Sequence, residues 1–312
     1  SAQQINVSLY GATTAAIITL QAFAGIWINT FIICVLCVAW VKKKALNSNE
    51  KILLLLGCSR FWHLCFSWLY SFLSIIYPNY FYVQPTCKLL LSIQNFFDCS
   101  NFWVSACLCF FYCIKIANFR SNCFFYLKVK IDRIVPWLLL GSVLLSLAIS
   151  SSLYNIIDKA QCDSHNSTGR RNFSKVSGKM YEHVFRIYFI YGFGFVTSFT
   201  AVIFSAVFLL ISLWRHKCKM QTNSMNSSSM DAHIKAMKSI LSFFIIYSIN
   251  FVFLTLTLIP STRDENPKMF LIYAFLYAFP GFHSLILILS KPKLKNTLVR
   301  ILSCVKCKVC MK

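Results

Sequence analysis

"GATTAAIITLQAFAGIWINTFIICVLCVAWV", Gly11 to Val41, carries no charged residue, and Lys42, Lys43 and Lys44 follow at once. Crossing hydrocarbon takes about 20 consecutive apolar residues in a helix. This stretch exceeds that length, and six further blocks reach it. Ile52–Ile76 is interrupted only by Arg60 and His63, Leu89–Ile114 only by Asp98, and Met269–Ser290 only by His283. Ile134–Ile157, Ile187–Leu213 and Ser239–Thr262 carry no charge. Helices are the form these blocks take, because a helix satisfies its own backbone in lipid and barrel strands would be shorter and alternating. The expected fold is an all-α membrane protein, a seven-transmembrane helix bundle with a short amphipathic eighth helix. It forms one domain over residues 1–312, with spans at about 11–41, 52–76, 86–116, 134–157, 183–213, 233–262 and 267–290 and a surface helix at about 292–303.

Composition agrees. Of the 312 residues 57% are hydrophobic and 13% charged, too little charge to cover a soluble domain of this size. The net charge of +22 comes from Lys and Arg flanking the spans. With the N-terminus outside, most of them fall on the cytoplasmic turns and tail, as the positive-inside rule requires. No aromatic and basic module for nucleic acid accompanies them, so the bilayer is the expected partner and nucleic acid is not. The start lacks a basic segment followed by a cleavage site, so the first helix is expected to serve as signal anchor. The sequons at Asn6, Asn166 and Asn172 fall outside in this orientation, where Asn166 and Asn172 are candidate glycosylation sites. The sequon at Asn226 falls inside and should stay bare.

The 15 cysteines lie mostly within helices and read as small apolar fillers. Cys87 and Cys162 both fall on the outer side, where either a bridge or two free thiols would serve. The tail "CVKCKVC" offers Cys304, Cys307 and Cys310 but no fourth ligand, so acylation or plain thiols fit better than zinc. No metal or cofactor is expected. In "KPKLKNTLVRIL" Leu294, Leu298, Ile301 and Leu302 share one helical face, as in a helix lying on the inner leaflet.

Two charges inside the spans point to function. Arg60 requires an inward polar partner. Asn29 on the first helix and His283 and Ser284 on the seventh lie at similar depth, which predicts a polar cluster able to repack on activation. Asp98 shares one face of the third helix with Gln94 and Asn101, at i, i+4 and i+7, and its carboxylate suits a protonated amine. His63, a solitary histidine on an apolar helix, reads as core. With no paired nucleophile and base, an enzyme is not expected. Lacking a lysine within the seventh helix, a retinal-binding opsin is not expected either. A small transporter, with more midplane charges, and a pheromone-type receptor are the alternatives.

The motifs at the inner helix ends resemble the type 2 (bitter) taste receptors, a family of G-protein-coupled receptors. "GIWINTFI" (Gly25 to Ile32), "LLLLGCSR" (Leu53 to Arg60) and "FYCIKIANF" (Phe111 to Phe119) are similar to that family's first-, second- and third-helix patterns. "LLISLWRHKCKMQ" (Leu209 to Gln221), "AHIKAM" (Ala232 to Met237) and "HSLILILSKPKLK" (His283 to Lys295) resemble its fifth to seventh. The resemblance puts Arg60 at the family's core arginine and makes the inner end of the third helix, with Tyr112 and Lys115, part of a G-protein-facing cavity that Arg215, His216 and Lys217 would share. It puts Asp98 where many members carry a ligand-contacting Asn and Gln94 where many carry Trp, and both are departures. It also assigns Asn250 and Tyr273 to the ligand pocket. The implied function is a plasma-membrane chemosensory receptor, N-terminus extracellular, that binds a small bitter agonist among helices three, five, six and seven and activates a gustducin-like heterotrimeric G protein.

Overall fold

The structure, a computed structural model, describes residues 2–77, 85–116, 122–167, 173–222, 241–242, 244–256 and 267–310. Among these the backbone forms eight helices: α1 Ala2–Lys43, α2 Ser48–Ile76, α3 Pro85–Ile116, α4 Asn122–Ser167, α5 Phe173–Thr222, α6 Phe244–Leu256, α7 Pro267–Ser290 and α8 Pro292–Cys310. No strand occurs among the described residues. Six of the helices are long and apolar enough to cross a membrane, and α6 adds a shorter apolar segment.

The helix ends differ from the expected spans. α4 begins at Asn122, well before Ile134, and α8 runs to Cys310 rather than stopping near 303. Apolar length marks where lipid ends, whereas a helix continues until its backbone meets a breaker or a cap. The sixth span was expected over 233–262; only its middle lies within the described residues. α2 starts at an N-cap, where the Asn47 amide donates to Glu50 Oε2 at 3.1 Å. Lys44, at φ 56°, turns the chain out of α1.

α3 is the most enclosed helix and contacts α2, α4 and α5. Its inner half sits in an aliphatic core of Ile32, Leu36, Leu56, Leu108, Ile131 and Leu287. The side of α3 that carries Phe102, Ala106 and Cys109 meets a second cluster, where Phe102 lies edge-on to Phe195 at 4.4 Å and Tyr247 packs against both Phe102 and Phe279. Phe199 and Phe251 continue this cluster as a stacked pair at 3.9 Å. Polar bonds pin α3 to α4. Ser150 donates to the Ser92 carbonyl, Cys107 lies 3.2 Å from Ser142 Oγ, and Lys88 pairs with Asp158 at 2.6 Å.

Of the two outer thiols weighed as a bridge or as free thiols, Cys87 has a described side chain. Cys87 is a buried free thiol that bonds Tyr70 of α2, so it faces the bundle instead of the outer loop. The Cys162 side chain lies outside the described residues, as do those of Asn6, Asn166, Asn172 and Asn226. The Lys88–Asp158 ion pair ties the outer end of α3 to α4 beside Cys87.

α1 and α7 touch backbone to backbone. A Cβ on Gly281 would come within 3.3 Å of the Gly25 Cα, and one on Gly25 within 2.6 Å of Leu64 Cδ1. Helices in lipid gain little from hiding apolar surface, so close approach at small residues supplies the contact energy. Pro280 stands beside Gly281 and withdraws an amide from the ladder of α7, which locally loosens that helix. Gly281→Val should therefore cost about 1–3 kcal/mol through overpacking. Gly141→Ala, where no atom lies within 4 Å, should leave stability no lower. Thermal unfolding of the purified protein compares the two; equal melting points would refute the close-contact reading.

Candidate functional site

Arg60 is fully buried at mid-depth of α2. Its guanidinium reaches two other helices. Nε donates to Asn101 Oδ1 of α3 at 2.9 Å, and Nη1 donates to Ser284 Oγ of α7 at 2.9 Å. Nη2 bonds His283 Nδ1 of α7 and stands 3.5 Å from Ser105 Oγ of α3. His283 accepts through Nδ1, so its ring is neutral and carries its proton on Nε2. Ser284 passes the chain on, donating to Asn29 Oδ1 of α1 at 2.7 Å, while Asn29 Nδ2 donates to the Gly25 carbonyl at 2.8 Å. One cation thus ties α1, α2, α3 and α7 together through neutral acceptors. A single carboxylate would fix the arginine to one helix; several neutral groups let it exchange partners at lower cost.

The structure thus brings Arg60, Asn29, His283 and Ser284 into one cluster. It moves Asn101 into that cluster as well. Asn101, expected to touch ligand, is 2% exposed and turned inward to the guanidinium. Ser105, one turn along the same face, was missed, although the i, i+4 spacing of small polar residues in α3 is its signal. The Tyr247 ring on α6 packs over Phe102 and is also fully buried.

Of the other residues expected at the ligand, Asp98 lies one turn outward from Asn101, and its Oδ1 stands 3.9 Å from His63 Nδ1 of α2. His63, read as core, faces the carboxylate. Gln94 lies a further turn out on α3, with its Oε1 buried. Asn250 is buried on α6, and Tyr273 is 44% exposed on α7. Tyr277, not foreseen, crosses from α7 to α2, its hydroxyl donating to the Ser67 carbonyl at 2.7 Å and lying 2.6 Å from Ser71 Oγ.

At the inner end Tyr112 donates to Asn49 Oδ1 at 2.9 Å, and Lys291 sits over its ring at 4.3 Å. Burial pushes the Lys291 ammonium down to about 8, so it keeps its charge, and this ring contact, at neutral pH. Lys293 of α8 pairs with Glu50 at 2.5 Å. Lys115 turns to Asp132 of α4 at 3.2 Å rather than across the bundle. Arg215 is exposed, and the side chains of His216 and Lys217 lie outside the described residues. No group of three or more metal-ligating side chains occurs among the described residues.

The family model described as "Taste receptor protein (TAS2R)" matches residues 7–306. Human taste receptor type 2 member 2 is 30% identical over 297 residues, 93% of this chain and 95% of that one. Member 7 of Macaca mulatta is 32% identical over 306 residues, 93% and 92%. Mouse member 105 is 30% identical over 298 residues, 93% and 96%. Among solved structures squid rhodopsin superposes with a TM-score of 0.64 over 95% of this chain and 86% of that one, at 13% identity, a likeness of fold alone.

Losing an acceptor leaves an arginine N–H buried and unpaired. Asn101→Ala and Ser284→Ala should each cost about 1.5–3 kcal/mol. Arg60→Lys should cost more than either, because an ammonium cannot reproduce the fork. Melting points in lipid nanodiscs test this, and a wild-type value for Arg60→Lys would contradict it.

Proposed function

This chain belongs to the taste receptor (TAS2R) family, and from that premise we propose how it senses and to what it couples. It is a bitter-taste-type chemosensory G-protein-coupled receptor, a multi-pass membrane protein whose partners are a small ligand and a G protein. We read it as a plasma-membrane receptor with its N-terminus outside. The agonist is a small, largely apolar bitter molecule received in the outer half of the bundle, and the G protein is gustducin-like.

The observation that carries this reading is the Arg60 cluster, which spans four helices at mid-depth with the aromatic cluster of α3, α5, α6 and α7 beside it. A ligand wedged among Phe199, Phe251 and Tyr247 would bear on Phe102, the residue next to Asn101, and so on the Arg60 bonds. It shifts the population toward an open inner end to the extent that it binds that state more tightly. Tyr112, Lys115 and Lys291 are then the groups whose contacts change where the G protein docks.

Expression of the full chain with a promiscuous G-protein α subunit, and a panel of bitter compounds, should give calcium release; silence across the panel, with surface expression shown, would refute the receptor reading. Asp98→Asn should weaken protonated amines at least tenfold and spare neutral agonists. For orientation, Asn166→Gln with Asn172→Gln should remove a glycosidase-sensitive mass shift that Asn226→Gln leaves in place.

A further inference from the structure

Between the first part of α1 and the last part of α2 the two helices leave a hollow. Ala15, Ile18 and Thr19 of α1 and Trp68, Ser71 and Phe72 of α2 line a cleft of about 350 Å³, its open mouth included, and Ile76 stands at its end. On this side of the bundle the apolar spans begin at Ala12 and end at Ser74. Thr19 and Trp68 therefore lie about 10 Å inside the hydrocarbon, less than the half-thickness of about 15 Å. The whole cleft falls within one leaflet, and what reaches it comes from the bilayer.

Its walls are fixed. The Trp68 indole donates to Thr19 Oγ1 at 3.1 Å, stacks on Phe72 at 5.2 Å and meets the Phe23 ring at 5.6 Å. Ser71 Oγ lies 2.6 Å from the Tyr277 hydroxyl, which ties this part of α2 to α7. Ala15 adds little bulk to the α1 wall, so the space stays open. Phe72 and Ile76 are exposed at the rim, whereas Ile18 is buried. The two hydroxyls in the lining, those of Thr19 and Ser71, already have partners. The cleft thus offers apolar contact and makes no polar demand of what enters it.

A hollow that faces lipid forfeits the dispersion contacts its lining could make, so a lipid fills it. Entropy decides which one. An acyl chain must freeze its rotatable bonds to lie against fixed walls, whereas a fused ring system has none to lose. Flat rings also match the flat faces of Trp68 and Phe72. The volume is at the lower end for small-ligand pockets, enough for the ring body of a lipid and not for a whole one. We propose that this cleft binds the ring system of a membrane sterol, rings against Trp68 and Phe72 and hydroxyl toward the headgroups beyond Ile76. The site is separate from the agonist and from the G protein, and it adds a lipid of defined chemistry to the partners of the chain.

The test uses the purified full chain in phosphatidylcholine nanodiscs with a trace of cholesterol that carries a photoreactive diazirine on its rings, and reads the labelled peptides by mass spectrometry. Label should concentrate in the segments around Ala15 and Trp68. Excess unlabelled cholesterol should displace most of it, and the same excess of dipalmitoylphosphatidylcholine should not. Ala15→Phe, which fills the cleft, should lower the label about fivefold. Phe72→Leu, which removes a ring face at the exposed rim, should lower it severalfold. Leu147→Phe, on the exposed face of α4, should leave it at the wild-type level. Label spread evenly over the lipid-facing helices, equal displacement by the phospholipid, or wild-type label in Ala15→Phe overturns the proposal. Should Ala15→Phe fail to fold, wild-type label in Phe72→Leu overturns it instead. No agonist or G protein takes part, so failure here leaves the signalling reading untouched, and silence in the calcium assay leaves this one standing.

Discussion

A guanidinium in hydrocarbon is the constraint on which the bundle depends. Arg60 cannot shed its charge within the protein, so its N–H groups must be met by acceptors brought to it. Those acceptors come from α3 and α7, and through Ser284 from α1. The positions of four helices are therefore coupled at one point. Removing any one acceptor would disturb the rest, since the arginine would have to turn toward those that remain. Because the acceptors are neutral, the alternative arrangements lie close in energy, which is what a two-state element requires.

The remaining contacts fit a solvent that offers helices little reason to associate. Apolar side chains are as comfortable against lipid as against each other, and many large ones, such as Trp27, Trp137 and Phe193, face outward. Specific contact instead comes from shape and polarity. Gly25 and Gly281 let α1 and α7 close up near the Arg60 cluster. Rings interlock across α3, α5, α6 and α7 beside that cluster. At the inner end one carboxylate, Glu50, both caps α2 and holds α8 through Lys293.

The fold was legible in the sequence because bilayer thickness converts directly into residue count. Charge-free runs such as Ile134–Ile157 mark a span without any knowledge of packing. Helix ends were less legible, as α4 illustrates: its first turns mix aromatic residues with Lys128, Lys130, Asp132 and Arg133, and a hydropathy average over such a stretch does not distinguish a helix from a loop. At the site, the contact of Arg60 with His283 and Ser284 follows from depth, since few polar groups lie at that level. The place of Asn101 does not follow. It shares a face with Asp98, and helical period alone cannot say whether a face lines a cavity or meets a neighbouring side chain. His63 was read as core for a related reason. Its counterpart lies on another helix, and only the register between α2 and α3 joins them.

The Arg60 contacts also bear on how such a chain is made. Membrane helices are inserted in order of synthesis, so α2 enters the bilayer long before α7 has been translated. Asn101 and Ser105 follow on α3 and can shelter the charge early, but His283 and Ser284 arrive with the final span. Until then the nascent bundle holds a cation with part of its acceptors missing. Completion of the last helix is thus the event that closes the Arg60 cluster, and a chain stalled or truncated before it would present the cell's quality control with an unmet charge in the membrane.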